Sequence, residues 1–352
     1  MTESECLAKM KSPGQRKPGK WMEGVIQILV THSCDKVCFN CTQLSQLARP
    51  KWEMTPSQFE KACLSLKSYF GVVGVFGGNP ALSKYFKDYC RIMRDIIPFR
   101  NRGLWCNNPI TLENAKEMCS TFNPLVSNLN VHQDKKAYDL FLEGWPELSR
   151  CPSNLFGLNG DSRHSPPYVG MRDLNELPVF NSKKQMIAAV PNTQENRHIL
   201  ISDCDINQHW SAAIGVFRGE LRAWFCEIAM SQSIHHQYES DYPDTGIKLF
   251  PANGVNWEES NGMVRGASQH WWELPMQNFV NQVRAHCHDC GVPLRGYGEL
   301  ALSEAGKEQV SKAHSQHYIP KRQGRAVELV TALEQLGAPL QRTTDYMGNA
   351  RK

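Results

Sequence analysis

Short apolar runs recur along the first two hundred positions, separated by stretches in which apolar residues fall three or four apart. The first pattern predicts strands and the second predicts helices with one buried face. Strands are expected at 24–31, 72–76, 103–106, 129–131, 155–158 and 198–201. Helices are expected near 83–97, 111–121 and 135–143. Thr55-Pro56-Ser57-Gln58 is a capping box with proline at the first helical position, which opens a helix to about residue 70.

Repeated strand-then-helix units imply a parallel sheet with right-handed crossovers. Six of them make either a partial barrel or an open doubly wound sheet, and both put the chemistry at the carboxyl ends of the strands. Residues 160–196 interrupt the rhythm with little strand character, as an insertion does. After 201 the alternation fades and the remaining cysteines cluster, which places a boundary there. The expected organisation is a polar tail at 1–20, a core at 21–201, a cysteine-rich domain at 202–300 and a helical extension with a tail at 301–352. In that extension Val327, Val330, Leu333 and Leu336 recur at helical spacing before Gly337 and Pro339.

Composition narrows the class. In 352 residues, 41% hydrophobic and 21% charged, no apolar run reaches membrane-spanning length. The first residues are polar and lack the apolar core of a secretion signal, so a cytoplasmic setting is expected. In that setting most of the 13 cysteines are thiols or metal ligands. Net charge is +4, with basic excess at both ends: five Lys/Arg against two Asp/Glu in 1–20, and eight against four in 307–352. Basic ends attract nucleic acid or acidic substrates, but solvated tails and helix faces have the same composition.

The cysteines carry the chemistry. Cys34, Cys38 and Cys41 follow the first predicted strand in the spacing Cys-x3-Cys-x2-Cys, with no fourth cysteine before Cys63. Thiolates are the usual ligands of iron–sulfur clusters. Three of them leave one iron of a four-iron cluster open, whereas a structural zinc site has four protein ligands. This loop resembles the signature of the radical S-adenosylmethionine (radical SAM) superfamily. Gly77-Gly78-Asn79-Pro80, after the second strand, is similar to that family's Gly-Gly-Glu-Pro segment, which binds the amino group of SAM. Two positions depart from the family pattern: Asn79 stands where Glu is common, and Asn40 stands where an aromatic usually precedes the last cysteine.

The resemblance covers about residues 21–201 and implies an α/β fold with a partial (β/α)6 TIM-like barrel. It also implies a [4Fe-4S] cluster on Cys34, Cys38 and Cys41, whose open iron takes the amine and carboxylate of SAM. One electron, from a donor such as flavodoxin or ferredoxin, then cleaves the sulfonium, and the 5′-deoxyadenosyl radical abstracts hydrogen from substrate. SAM contacts are implied for Gly77, Gly78, Asn79 and Pro80, and for Asn107, Asn128 and Asn130 at later strand ends. The Asn79 carbonyl is expected to accept from the SAM ammonium.

A second set of cysteines is spread farther apart. A hairpin turning at Arg218-Gly219 brings Cys204 and Cys226 together, and the Cys287-x2-Cys290 pair closes a four-thiolate site. The pattern resembles the auxiliary-cluster extensions called SPASM or twitch domains, which implies a second [4Fe-4S] cluster. A structural zinc tetrathiolate has the same ligands.

His132 and Asp134 follow the fourth predicted strand, while Asp161, Arg163, His164 and Tyr168 follow the fifth. Their place at the active-site end makes them candidates for substrate binding or catalysis, against an ordinary loop-surface role. Trp271-Trp272 could wall a pocket, but core packing is the simpler expectation. The leading function is a radical SAM enzyme acting on a small polar metabolite such as an amino acid, sugar or nucleoside derivative. Three alternatives stand beside it: a peptide or protein maturase, modification of a nucleobase within nucleic acid, and a non-catalytic metal-binding module.

Overall fold

A computed structural model of the chain describes residues 1–16, 24–36, 41–45, 51–152, 154–156, 158, 176–180, 186–191, 193–202, 204–209, 211–249 and 270–290. From Val25 to Phe156 strands and helices alternate as the hydrophobic pattern predicts. Strands β1 (Val25–Thr31), β2 (Val72–Gly77), β3 (Arg102–Cys106), β4 (Asn128–Asn130) and β5 (Leu155–Phe156) pair in parallel, in that order. An N-terminal helix, α1 (Glu3–Lys9), precedes them, and α2 (Pro56–Ser65), α3 (Phe86–Ile96), α4 (Leu112–Thr121) and α5 (Lys135–Gly144) connect or follow them. Thr55 caps α2 with both halves of the predicted box in place, although the helix stops at Ser65.

Two expectations are corrected. His198–Ile201, predicted as a sixth strand, lies inside α6 (Gln194–Ser202). The sixth parallel strand is instead β8 (Ser211–Phe217), which joins the sheet on the other side of β1, beyond the boundary expected at 201. A four-residue apolar run does not distinguish a strand from a buried helical turn; pairing partners do. From β8 the chain turns at Arg218 and Gly219, both with positive φ, into β9 (Glu220–Trp224) and then β10 (Ile247–Lys248). The full order is β10-β9-β8-β1-β2-β3-β4-β5, a mixed α/β sheet of eight strands, mostly parallel.

Two other segments also differ from expectation. Within 160–196, β6 (Glu176–Phe180) and β7 (Met186–Pro191) form an antiparallel pair of their own. The N-terminal tail contains α1, capped by Thr2 and tied by Glu3 to Arg284 of a later helix, α9 (Val280–His286). Between α6 and α9 come α7 (Asp205–His209) and α8 (Glu227–His236). The predicted C-terminal helix lies outside the described residues. Among the described residues no helix is long and apolar enough to cross a membrane.

The register divides the sheet into two unlike faces. One presents Ile26, Ile28, Val73, Val75, Leu104, Leu129 and Ile214, and these belong to one core with Phe59, Met93, Met118 and Phe141 of α2–α5. The other presents Gln27, Gly74, Gly103, Trp105, Asn128 and Ala213, polar or small positions flanked on β1 and β2 by Val25, Leu29, Val72 and Phe76. On this second face α8 packs over β8, where a Cβ on Gly215 would meet Ile234 and Met230. Trp105 lies across Gly74, whose added Cβ would stand 2.4 Å from the indole ring. Gly74→Val should therefore force the ring off this face and cost about 1–3 kcal/mol, read as a lower denaturant midpoint.

Candidate functional site

The carboxyl ends of β1, β2 and β3 converge on one carboxylate. Asp35, next to Cys34, accepts at one oxygen from Asn79 Nδ2 (3.0 Å) and Asn107 Nδ2 (2.9 Å), and at the other from Asn108 Nδ2 (3.1 Å). Its side chain is 24% exposed. Burial alone would favour the protonated acid, but the amides of Asn107, Asn79 and Asn108 outweigh it and hold the carboxyl below its ordinary value. Lys36 stands 3.7 Å from Asp35 and 2.7 Å from Asp134, so the loop also reaches the end of β4.

The glycines of the Gly-Gly-Asn-Pro segment serve the loop itself. Gly78 N–H donates to Thr31 O, and Asn79 N–H donates to Ser33 O at 2.6 Å. A Cβ on Gly78 would lie 2.3 Å from the Ser33 carbonyl, a backbone atom that cannot yield. Asn79 is fully buried and caps the short 3-10 turn Pro80–Leu82, its Oδ1 accepting from Ala81 N–H and from the Cys106 thiol. The Oδ1 expected from sequence to receive the SAM ammonium accepts these two bonds, and the amide nitrogen donates to Asp35 and to the Asn108 carbonyl.

Cys34 and Cys41 stand near each other, and burial pushes the Cys34 thiol up to about 12 and that of Cys41 upward as well. A backbone N–H is directed at each sulfur, Lys36 N at 3.4 Å from Cys34 Sγ and Ser45 N at 3.4 Å from Cys41 Sγ. Donors to sulfur suit a thiolate held by a metal, which would displace the proton that burial otherwise retains. Cys38, the third cysteine of the motif, lies outside the described residues.

Below this loop, the polar face of the sheet carries buried atoms with no hydrogen-bond partner: Gln27 Oε1, Trp105 Nε1, Asn107 Oδ1 and Asn128 Nδ2. Unpaired buried polar groups are costly, and a polar ligand would satisfy them. Of the other residues predicted from sequence, Asn130 accepts from His132 N–H, and His132 has a left-handed backbone with φ 48. Asp134 caps α5 and pairs with Lys36, which gives it a structural task. Asp161, Arg163, His164 and Tyr168 lie outside the described residues. Trp271 and Trp272 are buried in the core.

The second group of cysteines is drawn from three stretches of chain: the junction of α6 and α7, the start of α8, and the turn after α9. Burial pushes the Cys287 thiol well above its ordinary value, and the neighbouring Cys226, Cys290, Cys204 and Cys6 add to it. Cys226 is likewise raised to about 12, by burial and then by Cys204. Cys6, which sequence left without a role, is fully buried on α1. Among the described residues no group of three His, Cys, Asp or Glu stands close enough to hold a single metal ion. Zinc draws its sulfurs to within about 4 Å of one another, since each lies about 2.3 Å from the metal. A four-iron cluster puts each thiolate on its own iron and spreads them wider.

No protein family and no curated protein matches the chain in sequence. Among solved structures, BtrN in complex with AdoMet and 2-DOIA is similar over 64% of this chain and 85% of that one, at 13% identity and a TM-score of 0.34. At this level of similarity nothing about the chain's chemistry follows from it.

Sequence patterns missed Asp35, Lys36, Gln27 and Trp105. Asp35 had a signal, a carboxylate adjacent to a candidate ligand, but its three amide partners come from two other strand ends. Replacing Asp35 by Asn removes the charge on which they converge. The variant should lose about 1–3 kcal/mol of stability at neutral pH, measured by denaturant unfolding.

Proposed function

We propose that this chain is a radical SAM enzyme, with Cys34, Cys38 and Cys41 holding a [4Fe-4S] cluster and a small, uncharged polar substrate bound beneath it. The observation that carries this proposal is the cysteine loop seated on the ends of β1 and β2, with backbone donors aimed at its sulfurs and a charged Asp35 beside it. When bound, the cluster would supply the electron that cleaves SAM to methionine and a 5′-deoxyadenosyl radical, which takes hydrogen from substrate. Asp35 is the residue that would receive the SAM ammonium, because it has the negative charge that Asn79 lacks and Asn79, Asn107 and Asn108 orient it. Gln27, Trp105, Asn107 and Asn128 offer neutral donors and acceptors on the polar face. They suit hydroxyl or amide groups better than charged ones. Helix α8 packs on this face over β8.

Anaerobically reconstituted protein with a strong reductant should release 5′-deoxyadenosine and methionine from SAM. The triple variant Cys34→Ala, Cys38→Ala, Cys41→Ala should release neither; product from that variant would overturn the assignment. Asp35→Asn should weaken SAM binding by about 1–3 kcal/mol in titration, the cost of leaving a charged donor unpaired. Unchanged affinity would move the ammonium contact to another residue.

A further inference from the structure

Arg16 is buried, 1% exposed, and two of its guanidinium nitrogens, Nε and Nη1, have no partner. The third, Nη2, donates to the carbonyls of Lys11 (3.2 Å) and Phe225 (2.7 Å), the latter belonging to the residue before Cys226. Its segment is laced to the other side of the same thiol group: Lys11 N–H donates to Asn207 Oδ1 and Asn207 Nδ2 returns to Lys11 O. Asn207 follows Cys204 by one helical turn. No hydrogen bond or ion pair joins Arg16 to a carboxylate among the described residues. A guanidinium keeps its charge, so a buried one without an anion is strongly disfavoured.

We infer that Arg16 is the counter-cation of a doubly negative, four-thiolate metal centre formed by Cys204, Cys226, Cys287 and Cys290. This rests on the expectation from sequence that those cysteines hold metal, and it explains why a cation is sealed beside them. Four thiolates around an oxidised four-iron cluster leave two negative charges; zinc would leave the same charge but needs the sulfurs closer than they stand. Cys226, Tyr69 and Cys204 all stand near enough to the guanidinium to act on it. Arg16 would be a positioning residue: it offsets one of the two negative charges of the centre and ties the N-terminal segment to the backbone that carries Cys226.

The test uses the full chain with Cys34, Cys38 and Cys41 replaced by alanine, so that only the second site takes metal, loaded anaerobically with iron and sulfide or with zinc. Elemental analysis identifies the metal retained. Arg16→Met should lose it to a chelator about ten- to a hundredfold more readily than the parent, while Arg16→Lys stays near the parent. In the iron form, Arg16→Met should also shift the reduction potential to more negative values, because removing a cation disfavours the added electron. Thermal unfolding supplies the independent measurement. Arg16→Met should melt below the parent when metal is bound, and at or above it when metal is absent. Unchanged metal retention, or equal destabilisation of both forms including failure of both to fold, would show that Arg16 serves only as a tether to two carbonyls. That result would overturn the inference and leave the metal centre standing; a parent that binds no metal would remove both.

Discussion

The negative charge of Asp35 is the constraint on which the site depends. A carboxylate partly withdrawn from water persists only where donors replace the water, and here three asparagine amides from the ends of β2 and β3 do so. Because Asp35 is adjacent to Cys34, those bonds also locate the cysteine loop. Lys36 extends the arrangement through Asp134 to the start of α5. Four successive strand ends are thereby referred to one short loop. Gly78 is required in this arrangement because the Ser33 carbonyl occupies the space a Cβ would take.

The sheet beneath is divided by function as well as by packing. Its apolar face contributes to the core shared with α2–α5, and its other face sets glycines, asparagines, a glutamine and a tryptophan among the apolar Val25, Leu29, Val72 and Phe76. Polar residues at those positions give up hydrophobic burial and leave atoms without partners. Such a departure from local stability is expected where a ligand supplies the missing bonds. Asn128, Trp105 and Asn107 lie on the β3 and β4 side of this face, while Leu29 and Phe76 stand between Gln27 and the cysteine loop.

The N-terminal segment connects this sheet to the second thiol group. Helix α1 contributes Cys6, Glu3 binds Arg284 of α9, and Arg16 reaches the carbonyl of Phe225. Residues at opposite ends of the described chain thus enclose Cys204, Cys226, Cys287 and Cys290. The sheet joins in as well, since β8 and β9 are strands of it and Cys226 follows β9 directly. The second thiol group is built against the core sheet and shares its strands.

How much of this was legible differs by element. The helices from α2 to α5 and strands β1 to β5 were readable because their periodicity is local, and α2, α4 and α5 also carry a side-chain cap within four residues. The turn at Arg218-Gly219 was readable for the same reason. The cysteine spacing and the Gly-Gly-Asn-Pro segment located the end of the sheet where chemistry belongs. Only the tertiary structure decided that 198–201 is helix and that β8 pairs with β1, because strand pairing depends on a partner distant in sequence. It also decided that Asn79 serves Asp35 and that Arg16 lies buried beside thiols 188 and more residues away, as the positions of Cys204 and Cys226 show. A sequence read alone determines which residues prefer which local shape. The charge and hydrogen-bond partners of a buried group are set by where the chain returns, and that is a property of the folded molecule.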